Sequence, residues 1–539
     1  MPVFNERPSD LSQGSVDEEQ GDESTSLIKK RWTSPRGFLL IQVAIFSNVF
    51  LAGFDSTVTA STWAKIGSEY NAVNIASWLT TSYLITFTTF QPLYGRFSDI
   101  FGRRAGFFAA ATTFGLGSLA CSFAPSVQLF IAARLVQGVG GAGLMTMATI
   151  VNSDMIPFRE RGMYQAAQNV THGVGSICGA SLGGLVADQV GWRWCFLLQV
   201  PISVAACVLG FFVLPNPEEG PGAPVSDSWQ QLWEKVDFSG ALLLIAGLSL
   251  QLVGLGLGGN DLPWLSPWVI ASLLGSLVIM ALFIRVEAST KAMPIMPLRM
   301  FRGISPVATQ ISNLFVGMAA YAFLFQVPLY FQAVLGESAS KAGARLIVPS
   351  VASPLGGLIS GIVMSRWGKL ALLVRIGTGL MAIGNSLVAS FRFREAGWKY
   401  IVFLFPANLG QGIVYPGILF TYMAAFDHTD HAVSSSTVYL VRSLGWVYGV
   451  AITQLITQNT LTSRLPAALS EVDDKRTIID NIRHSVSYLH SLPVDVQVAA
   501  RQVYHQGIQC SLIASVVFAT VASIAALFSR GQALNREGL

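Results

Sequence analysis

Charge is scarce in this sequence: Asp, Glu, Lys and Arg make up 12% of its 539 residues, about half the share carried by a soluble domain. With a mean hydropathy of +0.52, that shortage excludes an ordinary water-soluble globule. The net charge of +4 is small and scattered, so no basic surface for nucleic acid is indicated. Cysteine is scarce too. Cys121, Cys178, Cys195, Cys207 and Cys510 all lie in apolar stretches, where a free thiol behaves as a small hydrophobe, and their spacing fits neither a disulfide framework nor a metal site. No nucleotide-binding glycine loop, Ser/His/Asp constellation or metal cluster emerges, so neither an enzyme nor a bound cofactor is expected. Residues 1–36 are polar and acidic, without the apolar core of a signal peptide, and are expected to form a disordered cytosolic tail.

What is abundant is apolar sequence in stretches of about 20 residues, each long enough to cross roughly 30 Å of hydrocarbon. Broken at Gly, Pro and charge clusters, these stretches predict about fourteen membrane helices. Six span Gly37 to Ala60, Ser77 to Tyr94, Ala105 to Ala124, Gln128 to Ile150, Gln165 to Ala187 and Trp194 to Leu214. Two more, Phe238 to Gly258 and Pro267 to Ile284, precede a second six: Pro306 to Gln332, Ala339 to Met364, Leu370 to Phe391, Tyr400 to Ala425, Val433 to Thr460 and Ile508 to Phe528. The pattern divides the chain into an N-terminal bundle over 37–214, a central cytosolic loop over 215–236, two linker helices within 237–303, a C-terminal bundle over 304–529 with a lumenal loop at 461–507, and a tail over 530–539. Lys29, Lys30, Arg31 and Arg36 before the first helix, and Arg103 and Arg104 between the second and third, place both segments in the cytosol by the positive-inside rule. The Asn169-Val-Thr sequon falls inside a predicted span, which argues against glycosylation.

An internal repeat supports the six-plus-six division. Gly95 and Gly102 frame the segment after the second helix of the first set, and Gly361 and Gly368 repeat the same spacing after the second helix of the other. Paired bundles around a midplane site are the architecture with which repeat-built transporters alternate access. The first copy, Gly95-Arg-Phe-Ser-Asp99-Ile-Phe-Gly102-Arg103-Arg104, resembles the loop signature of the major facilitator superfamily, Gly-x-x-x-Asp-x-x-Gly-Arg-Arg/Lys. The resemblance implies an all-α polytopic fold of two six-helix bundles, here with two extra linker helices, and a gating loop in which Asp99 accepts bonds from Arg103 or a neighbouring helix N-terminus in one state only.

Arg134-Leu-Val-Gln137-Gly138 in the fourth helix is similar to the family's second signature, an Arg and Gly-rich stretch tied to proton coupling. An Arg inside a span costs about 2.5 to 3.5 kcal/mol at the bilayer centre, so it needs a partner, a wet cavity, or snorkelling to the interface. Phe54-Asp55-Ser-Thr57-Val in the first helix resembles the Asp-x-Thr-Val element of the fourteen-span drug:proton antiporter branch. Counted at 1.5 Å per residue, Asp55 and Arg134 each lie about 8 to 10 Å from the lumenal end. Three roles fit Asp55: a protonation site, a contact for a cationic substrate, or a partner for Arg134. The fifth helix carries Gly175, Gly179, Gly183 and Gly184 in a framework resembling the antiporter signature Gly-x-x-x-Gly-Pro-x-Gly-Gly, with Ala180 in place of its proline; plain helix packing fits these glycines equally well.

Other spans contain Asn48, His172, Asn313, Gln326, Asn408, Gln411, Tyr415 and Arg442. Apart from His172, which fits a packed side chain better, these are candidates for the cavity, with interhelical bonding as the alternative. Arg442 suits a substrate carboxylate, and pairing with Asp427 or Asp430 is the rival. Longer stretches, Ile66 to Trp78, Gly191-Trp-Arg-Trp194 and Tyr330 to Gly336, look like fungal vacuolar basic amino acid permeases and are partly shared with fungal multidrug exporters. The resemblance implies a monomeric antiporter in the vacuolar membrane that exchanges protons for Lys, Arg or His, with the proton gradient as its energy source. The alternatives are a multidrug or toxin:proton exporter of the same fold at the plasma membrane, acting on amphipathic cations, and a non-transporting nutrient sensor. Glu23, Leu27 and Ile28 have the form of an acidic dileucine signal for a sorting adaptor.

Overall fold

The computed structural model describes residues 37–70, 78–158, 160–214, 235–258, 262–337, 339–393, 395–469, 478–479, 481–482, 488–489 and 492–530. The dileucine segment, most of the central loop and the C-terminal tail lie outside them. In lipid every backbone polar group must be satisfied within the protein, which leaves helices as the natural form for apolar stretches of this length. The helices are α1 (Phe38–Glu69), α2 (Trp78–Phe101), α3 (Arg103–Ser122), α4 (Val127–Met155), α5 (Arg161–Gln189), α6 (Arg193–Leu197 continued by Gln199–Val213), α7 (Phe238–Leu257), α8 (Pro267–Ser289), α9 (Ile304–Leu329), α10 (Ala339–Trp367), α11 (Leu370–Ala389), α12 (Lys399–Val402 continued by Phe405–Met423), α13 (His431–Ala468) and α14 (Val494–Phe528). Among the described residues twelve are long and apolar enough to cross a membrane, and α2 and α10, the second helix of each set, fall short of that measure.

Helices α1 to α4 and α6 contribute to one core, containing Ile45, Phe107, Phe114 and Met147. Helices α9 to α14 enclose another, containing Val316, Val374, Val414 and Phe518. Outward faces stay apolar: Leu277 and Val278 on α8 are each 61% exposed, an arrangement stable only against lipid. The bundles meet chiefly along two helix pairs, α2 with α13 and α5 with α10, with smaller crossings of α4 on α13 and α5 on α12. The linker helices pack on each other, and α7 also lies on α2 and α13.

The loop expected over 461–507 is helical at both ends, because α13 continues to Ala468 and α14 begins at Val494. Their extensions are polar and therefore invisible to hydropathy, yet Arg464 still donates to Gln506 across the pair at 2.5 Å. The Tyr330 to Gly336 stretch is a π turn (Tyr330–Val334) ending at Gly336 with φ +69°. Just beyond it, Glu337 accepts from Arg345 at 2.7 and 2.8 Å. Those bonds, together with the positive charge of Arg345, hold the Glu337 carboxyl below the usual carboxylate range despite its partial burial. A depressed folded-state pKa contributes stability above the unfolded value and loses it as pH falls through the folded one. Glu337→Gln is therefore expected to lower the melting temperature of the purified protein near neutral pH, and the gap from the parent should close in acid. A gap that widens on acidification would contradict this.

Candidate proton and substrate site

Asp55 on α1 is completely enclosed and Arg134 on α4 is 1% exposed. Arg134 Nη1 lies 2.9 Å from each carboxylate oxygen of Asp55. It also donates to Gln137 Oε1 at 2.7 Å, while its Nε donates to the Leu79 carbonyl at 3.1 Å. Gln137 closes the triangle, donating to Asp55 at 3.0 Å and to Ser118 at 2.8 Å. The guanidinium lies over the Tyr83 ring at 4.3 Å. Of the three roles open to Asp55, the pair with Arg134 is the one formed in this structure.

Glycine delivers both partners. A Cβ at Gly138 would lie 2.4 Å from the Tyr83 carbonyl oxygen, and one at Gly140 2.2 Å from the Phe114 amide nitrogen, so α4 touches α2 and α3 through backbone. On α5, a Cβ at Gly175 would lie 2.3 Å from the Phe50 carbonyl oxygen and one at Gly179 2.2 Å from that of Phe54. Thr57 also donates to the Ser176 carbonyl at 2.7 Å. The turn bearing Asp55 is thus wedged onto α5. Gly183 is buried and its carbonyl accepts from Cys195, whereas a Cβ at Gly184 would meet nothing. Helix α5 runs unbroken from Arg161 to Gln189, as a helix without the signature's proline should.

At the signature loop, Arg103 donates to Asp99 and to Asp154 on α4, both at 2.6 Å. Gly102 takes φ +90°, and Gly368 in the second copy takes φ +62°, a conformation that favours glycine. Arg104 stays outside this cluster; it donates to the Phe211 carbonyl and covers the Phe211 ring. Arg96 donates to the Pro294 carbonyl at 2.7 Å, and Arg299 pairs with Asp430 at 2.8 Å. The connector after the linker helices therefore ties the signature loop to the start of α13.

The bundles also touch directly. A Cβ at Gly95 would lie 2.4 Å from Ser436 Oγ on α13, and one at Gly361 2.8 Å from the Gly162 carbonyl oxygen on α5. The hydroxyls of Thr149 and Tyr439 are 2.6 Å apart, Ser443 donates to Gln91 at 3.0 Å, and Phe158 meets Phe420 edge to face. All of these lie in the half of the protein nearer Asp99 or at its middle.

In the C-terminal half, Arg442 donates to Asn313 Oδ1 and to the Tyr415 carbonyl, both at 3.2 Å. The expected alternative, pairing with Asp427 or Asp430, is not formed: Asp430 holds Arg299, and twelve residues of helix separate it from Arg442 by about 18 Å. Gln411 donates to the Tyr415 hydroxyl at 3.2 Å. Gln326 accepts from Thr457 at 3.3 Å, joining α9 to α13, and Asn408 donates to the Leu404 carbonyl of its own helix at 3.0 Å. Asn48 is buried with neither amide atom hydrogen-bonded. His172 brings its backbone to α1, where a Cβ at Gly53 would lie 2.2 Å from its carbonyl oxygen. Sequence reasoning did not single out Tyr439, Trp446, Gln91 or Thr149, which are ordinary polar and aromatic residues within apolar spans. Among the described residues no group of three or more His, Cys, Asp or Glu side chains is placed to hold a metal.

The Major Facilitator Superfamily profile matches residues 45–450. The chain belongs to this superfamily. Among major facilitator proteins, vacuolar basic amino acid transporter 2 of Saccharomyces cerevisiae is 42% identical over 460 residues, covering 84% of this chain and 97% of that one. A multidrug resistance protein of Schizosaccharomyces pombe is 33% identical, covering 84% and 85%. Among solved structures, the fold matches a proton:xylose symporter with a TM-score of 0.55 at 16% identity, covering 89% of this chain and 94% of that one. This major facilitator protein is thus an integral membrane transporter and not an enzyme.

Proposed function

We propose that the protein is a proton-coupled antiporter that carries basic amino acids from the cytosol into the vacuole by alternating access. The observation that carries the proposal is the enclosed Asp55–Arg134–Gln137 cluster. Its carboxylate is held by an arginine, so adding a proton to Asp55 removes an ion pair that both helices are built around. Such a pair gives a proton direct influence over helix packing. The identity to a vacuolar basic amino acid transporter supports the substrate class and the membrane. By the positive-inside rule the Asp99 face is cytosolic, and the contacts between Gly95, Gly361 and the opposing bundle close it in this state.

Coupling is physically needed. A vacuole that is positive inside opposes cation entry by about 2.3 kcal/mol per charge per 100 mV, so accumulation requires an exchanged ion. The chain's similarity to a multidrug resistance protein favours the second reading, export of amphipathic cations. Uptake by vacuolar vesicles separates the two. Lysine, arginine and histidine should accumulate, and a protonophore should abolish it. Movement of cationic drugs with no amino acid uptake would replace this proposal with the exporter.

A further inference from the structure

Among the described residues three of the five buried arginines pair with carboxylates, Arg134 with Asp55, Arg103 with Asp99 and Asp154, and Arg96 with Asp99, while Arg161 bonds the Ile156 carbonyl and lies against His431. Arg442 differs. It is 5% exposed, well inside α13, and among the described residues no carboxylate lies within 4 Å of it. Its bonds go to two neutral acceptors, the Asn313 side chain and the Tyr415 carbonyl. The rings of Tyr415 and Tyr439 flank it at 4.1 and 5.7 Å. Its Nη1 bonds to neither acceptor. A guanidinium in a membrane span without a counter-ion is costly, and an anion that reached it would find little competition.

A second observation points to the same kind of ligand. The Tyr415 hydroxyl accepts from Gln411 at 3.2 Å and from the Trp446 indole at 3.3 Å. A phenol has one proton to give, and with both acceptor positions taken that proton is left for an acceptor from outside. Trp446 is itself fixed by stacking on Tyr321 with centroids 4.6 Å apart. An uncompensated guanidinium and a phenol with a free proton thus adjoin. A carboxylate, which only accepts, is complementary to both.

We propose that Arg442, with the Tyr415 hydroxyl, binds the α-carboxylate of the transported amino acid. The proposal rests on the basic amino acid reading above. It places the carboxylate receptor on α12 and α13 of the C-terminal bundle, apart from the proton-linked carboxylate on α1 of the N-terminal one. It also predicts discrimination against amines that lack the carboxylate.

Agmatine, which is arginine without its carboxylate, is the probe. Competition by arginine and by agmatine against labelled lysine is measured in vesicles, and the ratio of their inhibition constants is taken within each variant, so that the amount of folded protein cancels. The wild type should prefer arginine by at least about thirtyfold, the loss expected when a buried charged partner is removed. Arg442→Gln should bring the ratio close to one, and Arg442→Lys should keep part of it. Should Arg442→Gln not reach the membrane, Tyr415→Phe is read instead and should lower the preference by at least about tenfold, the worth of one hydrogen bond to a charged group. Equal competition by agmatine in the wild type, or a preference unchanged in these variants, overturns the subsite and leaves the amino acid reading standing. Failure of arginine itself to compete overturns that reading and the subsite with it.

Discussion

Asp55→Asn is expected to abolish proton-driven accumulation of lysine in vacuolar vesicles while lysine–lysine exchange at equal pH continues. The amide oxygen still accepts from Arg134, so the shape of the cluster survives, but the charge that a proton neutralises is gone. One coupled proton supports about tenfold accumulation per pH unit of gradient, or about 1.4 kcal/mol, and the variant should lose all of it. Arg134→Ala is expected to behave differently. It leaves the enclosed Asp55 carboxylate without its cation, which costs about 3 to 5 kcal/mol, so the amount of folded protein in the membrane should fall as well. Loss of both accumulation and exchange in Asp55→Asn, at wild-type protein level, would mean that Asp55 binds substrate and not only the proton. Retention of both would remove it from the mechanism.

Gly95→Val and Gly361→Val should each hold the protein away from the closed state described here. At both positions a Cβ would meet the opposing bundle closer than 3.0 Å, Ser436 in one case and the Gly162 backbone in the other. Overpacking of this kind costs about 1 to 3 kcal/mol, which displaces a two-state equilibrium by about 5- to 150-fold. A Thr149→Cys reporter in a background without the five native cysteines reads the result. Thr149 is buried against Tyr439 in the closed state, so its cysteine should react with thiol reagents at least five times faster in either glycine variant, and transport should fall accordingly. Full protection with normal transport would show that these crossings do not gate.

The same two glycines show what the sequence could and could not reveal. Their spacing marked a repeat, and both second glycines, Gly102 and Gly368, adopt the left-handed conformation. The shared depth of Asp55 and Arg134 followed from helical rise alone, and the 2.9 Å contact agrees with it. Helix cores were legible because hydropathy measures what lipid requires. The polar ends of α13 and α14 were not, since they leave the hydrocarbon and are held by each other. Nor was the partner of Arg96, because a backbone carbonyl such as that of Pro294 carries no residue signature. Contacts between the bundles, Thr149 with Tyr439 among them, join residues whose types are common in any span and whose pairing depends on the conformational state. Helical rise alone excludes Asp430 as a partner for Arg442, since about 18 Å of helix separates them.

Proton movement during substrate entry tests the central claim most directly. Purified protein is placed in liposomes that are acidic inside and contain a trapped pH indicator, and lysine is added outside. The account predicts that lysine entry makes the interior less acidic, and that Asp55→Asn eliminates this pH change. Lysine entry without any pH change, or a pH change that persists in Asp55→Asn, would contradict it.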